Sequence, residues 1–432
     1  MKLHIEKMIY GGNGLAHSAN EAGPGRAIFV PFTLPREVVE ARITKQHSAF
    51  SAAELESIAV ASADRVTPRC AHFGECGGCQ YQHASYDAQL RLKQEILRET
   101  LERAGLNSLP RIEPHAAEPW KYRNRIRLRV AEIGGQLRAG YLRRGSTDFL
   151  PIGMCPIAAP LLWRAAEALL TLGGNAAQWA HAAEEVEFFS TADVARLQMT
   201  LFVRHQPAKG FAQFCEALRE RLPELEGAGV LIMQHAGQGR KTQRFRKGDT
   251  WGADGLSYSV AAESYWVSRG GFFQVNRYVV ETLVDLVTRG RRGRLAWDLY
   301  AGVGLFSRVL AKTFSEVVAV EASAGDLAQN LRGEGRRTIV ATTADFLRQA
   351  ALERERPELI VVDPPRAGVG IEACTLLARI KPPEIVYVSC DPTTLGRDLK
   401  AMVDSGYRLR ELHMVDMFPQ TFHQETVAVL SL

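Results

Sequence analysis

A chain of 432 residues, 46% hydrophobic and 23% charged, is long enough for two or three cores, since single cores stop growing at roughly 250–300 residues. It has no apolar run near the roughly 20 residues of a membrane helix, and its first residues, MKLHIEKMIYGG, lack a signal-peptide core. The expectation is a cytoplasmic, monomeric protein whose seven cysteines are reduced, so that a cysteine cluster points to metal or catalysis before disulfides.

Residues 1–60 run as LHIEKMIY, GGNGLAH and GRAIFVPFTLPREVVEARITKQ. Gly/Asn turns between β-rich runs predict a small antiparallel, OB-like barrel, a shape often used for nucleic acid. A second region, 61–265, opens on RCAHFGECGGCQYQH, which spaces Cys70, Cys76 and Cys79 as x5 and x2, and PIGMCPI later supplies Cys155. Four thiolates can hold either zinc or an iron–sulfur cluster. The spacing differs from the paired CxxC units of a zinc ribbon and so favours [4Fe–4S], with Gly77 and Gly78 letting the backbone curl around it. A helix is predicted from about Ser85 to Ala104, able to pack on the third region.

The segment WKYRNRIRLRV then places Arg123, Arg125, Arg127 and Arg129 at alternate positions, one face of a strand starting near Tyr122. With Trp120, Tyr122 and Tyr141 nearby, a one-sided basic sheet would suit a phosphate backbone. A plain solvated strand face is the alternative, although solvated faces more often mix signs. Beyond this sheet the central region is an α+β alternation whose function is not legible, and Cys215 and Cys374 fall in apparent helices as apolar filler.

From residue 266 to 432 strand–loop–helix units follow one another, predicting a doubly wound α/β domain. LAWDLYAGVGLFSRVLA reads as strand, acid, and a loop with Gly302 and Gly304 opening a helix. Ser307 stands where a dinucleotide fingerprint needs glycine. Glu321 ends the next strand, placed for ribose hydroxyls, and Asp345 is expected to close the third, where an adenine-recognising acid would sit. Acids without a phosphate cradle suit S-adenosylmethionine, a sulfonium cation, better than NAD, although each acid could instead be a helix N-cap. LIVVDPPRAGV presents Asp363 and Arg366 at the fourth strand's end. IVYVSCDPTTLGRDL brings Cys390 to the carboxyl edge of the next, the edge where open α/β sheets bind ligands.

VVDPPRAGV, YVSCDPTTLGRDL and MFPQTFHQETVAVL together resemble the RNA uracil-5-methyltransferases, over nearly the whole chain. The resemblance implies a Rossmann-like S-adenosylmethionine-dependent methyltransferase domain, an amino-terminal TRAM domain, and the [4Fe–4S] ligands of the family's 23S ribosomal RNA members at Cys70, Cys76, Cys79 and Cys155. GGFFQVNRYV resembles the family's FxQxN segment and carries Gln274 into the cofactor site beside Tyr300, Glu321, Asp345 and Asp363. Leu305 departs from an Asn common after the second glycine, and Ala301 from a frequent Cys. The implied chemistry is attack of the Cys390 thiolate on uracil C6 and removal of the C5 proton by Glu425, with His423 orienting that base, meeting RNA or simply lying at the surface. An unstacked uridine in single-stranded or loop RNA is then the partner, with no role for DNA. The combination of barrel and cysteines leans toward 23S ribosomal RNA. Transfer RNA, or an iron–sulfur RNA-binding protein with a vestigial methyltransferase domain, are the alternatives.

Overall fold

The computed structural model describes residues 1–18, 25–174, 177–234, 244–323, 325–353 and 355–432. Its largest sheet has eight strands in the order 336–340, 314–321, 293–299, 359–362, 384–389, 425–431, 408–415 and 112–115. Strands Gly293–Leu299, Phe314–Glu321, Leu359–Val362 and Glu384–Ser389 are almost unbroken apolar runs because helices cover both faces. All pairings are parallel except those of Glu425–Ser431, which runs antiparallel to both neighbours. Chain order reverses between strands 293–299 and 359–362. That is the switch point at which doubly wound sheets open a crevice for ligands.

The first sixty residues form a curled six-stranded sheet. The segment after Lys2–His4 closes it, because Ile5 N–H donates to Glu37 O at 2.9 Å and Glu6 N–H to Leu15 O at 2.8 Å, tying one stretch to two strands. A seven-stranded sheet built from residues 125–252 carries a separate core around Trp179 and Phe188.

Two segments expected in the central region belong elsewhere. Ile112–His115 is the edge strand of the catalytic sheet, and the hairpin Gly255–Val260/Glu263–Ser268 packs Tyr258, Tyr265 and Val267 into the catalytic core. Both segments are short, and their partners are remote in sequence, so local pattern could not place them. The long helix forms as Tyr86–Arg103 with Ser85 as its N-cap, and it packs on the catalytic domain's last helix, Pro392–Asp404.

The arginine face also needs correction. Strand Arg125–Ile133 alternates, with Ile126, Leu128 and Val130 buried and Arg125, Arg127 and Arg129 on the other face, but Arg123 precedes the strand and lines the cysteine cavity. The neighbouring strand Ala183–Ser190 sets acids opposite: Arg125 pairs with Glu187 at 3.0 Å, and Arg127 and Arg129 lie 2.5 and 3.7 Å from Glu185. Arg125 and Arg127 further lie over the rings of Phe189 and Phe202. The face is a mixed-sign lattice, not a one-sided basic surface.

Candidate active site

Strand 384–389 ends in Ser389, paired with Thr426 across the antiparallel ladder. One step further, Cys390 and Glu425 stand opposite each other at the sheet's carboxyl edge. Asp363 follows the neighbouring strand, where its N–H donates to Leu299 O at 3.3 Å. Glu425 is almost completely buried. Burial and the facing Asp363 together push its carboxyl well above the ordinary range, and burial with Asp298 pushes Asp363 up in turn. Burial, then the negative field of Glu425 and Asp363, raises the Cys390 thiol to about 11, with Arg366 pulling the other way. Two buried carboxyls pushed upward beside one thiol are a proton-handling constellation.

Asp298, which the sequence passes over as a candidate, is fully buried beneath the glycine loop. Its Oδ2 accepts from Ser307 N–H at 2.9 Å and from the Ser307 hydroxyl, while Oδ1 has no partner among the described residues. Glu321 accepts from Gly302 N–H at 3.0 Å and Ser323 N–H at 3.2 Å, holding the loop. The loop itself turns through the left-handed region at Tyr300, Gly302 and Gly304, with φ of 63°, 55° and 87°. Leu305, at the position where Asn is the expectation, is buried and only its carbonyl is used, by the Tyr265 hydroxyl at 2.9 Å. Gln274 is buried on the segment that Asn124 holds by its carbonyl at 2.9 Å.

Asp345 does not close the third strand. That strand ends at Val340, and Asp345 sits in the first turn of helix Thr343–Glu353, exposed, accepting from Thr342 and pairing with Arg348 at 2.6 Å. Its side chain is engaged as a helix-start acid, the alternative that a TxxD spacing always leaves open. The acids around Gly302 and Gly304, one with an unpartnered buried oxygen, and a loop with no cationic side chain fit a sulfonium ligand and not a pyrophosphate.

Two further residues come to the surroundings of Cys390 from other parts of the chain. Tyr10, on the amino-terminal barrel, donates to Asp391 Oδ2 at 3.3 Å and packs edge-on against Phe422, with ring centroids 5.3 Å apart. His423 is half-buried, 3.1 Å from Arg366 through Nε2. Burial, then Arg366, drives its pKa down to about 4, so it is neutral and does not lie free at the surface. Sequence offered no signal for Tyr10, since nothing local links residue 10 to residue 391.

The four cysteines also come together. Cys70, Cys76, Cys79 and Cys155 line one cavity of about 280 Å³ with Arg123 and Tyr141. Gly77 N–H donates to Leu142 O and Arg144 N–H to Glu75 O, clamping the loop to a neighbouring strand, and Gly78 N–H points at Cys76 Sγ at 3.4 Å. Gly74, φ 94°, supplies the left-handed turn there, not Gly77 or Gly78. A tetrahedral zinc would draw its thiolates to about 3.8 Å of one another. Among the described residues no three of these thiols lie within 4.8 Å of one another. Arg123 lowers the Cys79 and Cys155 thiols against a burial that raises them, Cys79 to about 12.

Comparison with known proteins agrees with this geometry. A family model described as tRNA (Uracil-5-)-methyltransferase matches residues 85–432. An RNA methyltransferase of Aquifex aeolicus is 31% identical over 445 residues, covering 100% of this chain and 98% of that protein. The 23S rRNA (uracil(1939)-C(5))-methyltransferase RlmD of Shewanella amazonensis is 30% identical over 441 residues, covering 100% and 95%. Among solved structures, the Pyrococcus abyssi tRNA (uracil-54, C5)-methyltransferase in complex with S-adenosyl-L-homocysteine shares the fold, with a TM-score of 0.75 at 22% identity and complete coverage of both chains.

Proposed function

The chain belongs to the tRNA (uracil-5-)-methyltransferase family and is an S-adenosylmethionine-dependent RNA uracil-5-methyltransferase, and from this premise we propose that it methylates a uridine of 23S ribosomal RNA in the cytoplasm, through a covalent adduct of Cys390 with uracil C6. The observation that carries the mechanism is the placement of Cys390 across the ladder from the buried Glu425. Its likeness to the Shewanella enzyme favours ribosomal over transfer RNA.

When bound, S-adenosylmethionine supplies an electrophilic methyl group. Asp298, Glu321 and Asp363, with Tyr300 and Gln274, would hold it, and the acids suit its sulfonium. The Cys390 thiolate adds to C6, which makes C5 nucleophilic. After methylation the C5 proton goes to Glu425, the C6–S bond breaks, and the thiolate is released. Burial suits Glu425 to this work, because a carboxylate kept out of water is a stronger base than one at the surface.

Cys70, Cys76, Cys79 and Cys155 are proposed to hold a structural [4Fe–4S] cluster that braces the central sheet. Uracil methylation needs no redox step. The support is the shared cavity, the spread of the thiols and the Arg123 guanidinium beside them, which offsets a cluster's negative charge. Anaerobically purified protein should be brown with about four irons per chain. A colourless protein with one zinc at these thiols would refute it. The curled barrel is proposed to be a TRAM-like RNA-binding module.

The substrate is tested by nucleoside mass mapping of 23S ribosomal and transfer RNA from a strain lacking the protein. Loss of one 5-methyluridine from 23S RNA is expected. Loss confined to transfer RNA would overturn the ribosomal assignment, and labelled donor transferring nothing to any RNA would leave an RNA-binding protein.

A further inference from the structure

At one edge of the large sheet, the strand Ile112–His115 pairs in parallel with Arg408–Val415, setting Glu113 opposite His413 and His115 opposite Val415. Side chains two residues apart on one strand share a face, so Glu113 and His115 on the edge strand and Glu411 and His413 on its neighbour form a two-by-two array. His115 Nε2 lies 3.2 Å from His413 Nδ1, and His413 Nδ1 lies 3.5 Å from Glu113 Oε2. The other nitrogen of His413, Nε2, is 3.1 Å from Glu411 Oε2.

Glu113, His115 and His413 thus each bring one atom of a metal-ligating type to a common point, and the three lie within 4.8 Å of one another. Two imidazoles and a carboxylate at about 2.0–2.2 Å from a tetrahedral zinc stand roughly 3.3–3.5 Å from one another; two of the three spacings in this cluster are 3.2 and 3.5 Å, and the third is within 4.8 Å. A carboxylate behind a ligating histidine is also the usual means of orienting that histidine and raising its basicity.

We propose that Glu113, His115 and His413 bind a zinc ion, with Glu411 orienting His413 from behind and water completing the coordination. The site is separate from the four cysteines and from the nucleophile. It staples the edge strand to the strand 408–415, whose Val415 pairs with Glu425. Pro114, lacking an N–H, suits an edge position, and the strand Ile112–His115 has only four residues. The ion therefore supplies cohesion that so short a ladder lacks, and its role is structural. From the helix Val280–Thr288 and its end, Asp285 and Arg289 also face His115. They pair with each other at 3.2 Å, so Arg289 does not put an uncompensated charge on the ion.

Zinc can also enter thiolate sites, so the test uses protein whose cysteine centre is already loaded and whose iron content is measured before and after. Such protein, stripped of loosely held ions, is titrated with zinc against a chromophoric chelator, alongside Glu113→Gln and the double variant His115→Ala/His413→Ala. Wild type should take up one zinc per chain with iron unchanged. Glu113→Gln, on an exposed edge where folding is not at risk, should bind at least tenfold more weakly, and the double variant should not bind. Glu411→Gln should weaken binding by about 10–100-fold, the range for an orienting partner. Cobalt bound there should show ligand-field bands without a thiolate charge-transfer band. Equal zinc uptake by wild type and Glu113→Gln, or a thiolate band from cobalt, would overturn the site. No uptake by wild type would equally end the proposal.

Discussion

At the scale of single residues, the proposed mechanism puts Cys390 and Glu425 on opposite sides of one covalent intermediate, so their variants should fail differently. Cys390→Ala has no nucleophile and should give neither methylated RNA nor adduct. Glu425→Gln can still add and methylate, but the C5 proton stays, and a denaturation-resistant protein–RNA band carrying the labelled methyl group should accumulate. An adduct in Cys390→Ala would assign the nucleophile to another cysteine. The pair is also linked electrostatically. Glu425 is, after burial, the largest influence raising the Cys390 thiol to about 11. An anion nearby disfavours the thiolate, so removing that charge must lower the thiol pKa. Alkylation of Cys390, followed by peptide mass across a pH series, should therefore reach half its limiting rate at lower pH in Glu425→Gln than in wild type. An unmoved profile would mean that the two groups do not sense each other.

At the scale of elements, strand Arg125–Ile133 shows how far sequence alternation can be trusted. Period two identifies the strand and its buried residues Ile126, Leu128 and Val130. It cannot show the neighbour, and Glu185 and Glu187 on strand Ala183–Ser190 cancel the charge. Removing a cation that alone neutralises one phosphate of single-stranded RNA lowers the salt slope by about 0.7. Arg127→Ser with Arg129→Ser should lower it by much less than twice that, because both guanidinium groups already face Glu185. A fall of the full amount would restore this face as an RNA surface. The same contrast runs through the site. Cys390, Asp363, Glu321 and the glycine loop are legible because each ends an apolar run that must be a buried strand, and strand ends in a doubly wound sheet share one edge. Asp345 falls a few residues away from its expected place, as loop acids do when the helix start is unseen. Asp298 is hidden because an acid within an apolar strand announces burial but not purpose, and the Glu113/His413 pairing is hidden because it joins strands from opposite ends of the chain.

At the scale of the whole molecule, the segment leading into Glu425 is held by parts of the chain far from it. Lys93, fully buried on the helix Tyr86–Arg103, donates to Asp416 Oδ1 at 2.6 Å, Phe418 O at 3.1 Å and His423 O at 2.8 Å, using all three of its protons. The Tyr86 hydroxyl takes the other Asp416 oxygen at 2.9 Å. Gln89 exchanges two 3.0 Å hydrogen bonds with Gln420, and the Tyr122 hydroxyl reaches Pro419 O at 3.1 Å. From the barrel, Tyr10 closes on Asp391 and Phe422. The loop of Cys390 and the segment leading to Glu425 are thus held by the amino-terminal part of the chain. Burial lowers the Lys93 pKa while Asp416 opposes it, so the pair is marginal in its own balance but severe to break. Lys93→Met should cost about 3–5 kcal/mol, the penalty of leaving a buried charge without its partner, read as a lower urea midpoint. Lys93→Met/Asp416→Asn, which removes both charges, should recover much of that loss, because the uncompensated carboxylate is gone. Turnover should separate the two effects. The double variant regains stability but not the three donors that fix residues 416–423, so kcat should stay low at saturating RNA while methyl-donor affinity, set by the glycine loop, stays near wild type. Full recovery of kcat in the double variant would show that Lys93 stabilises the fold without positioning Glu425.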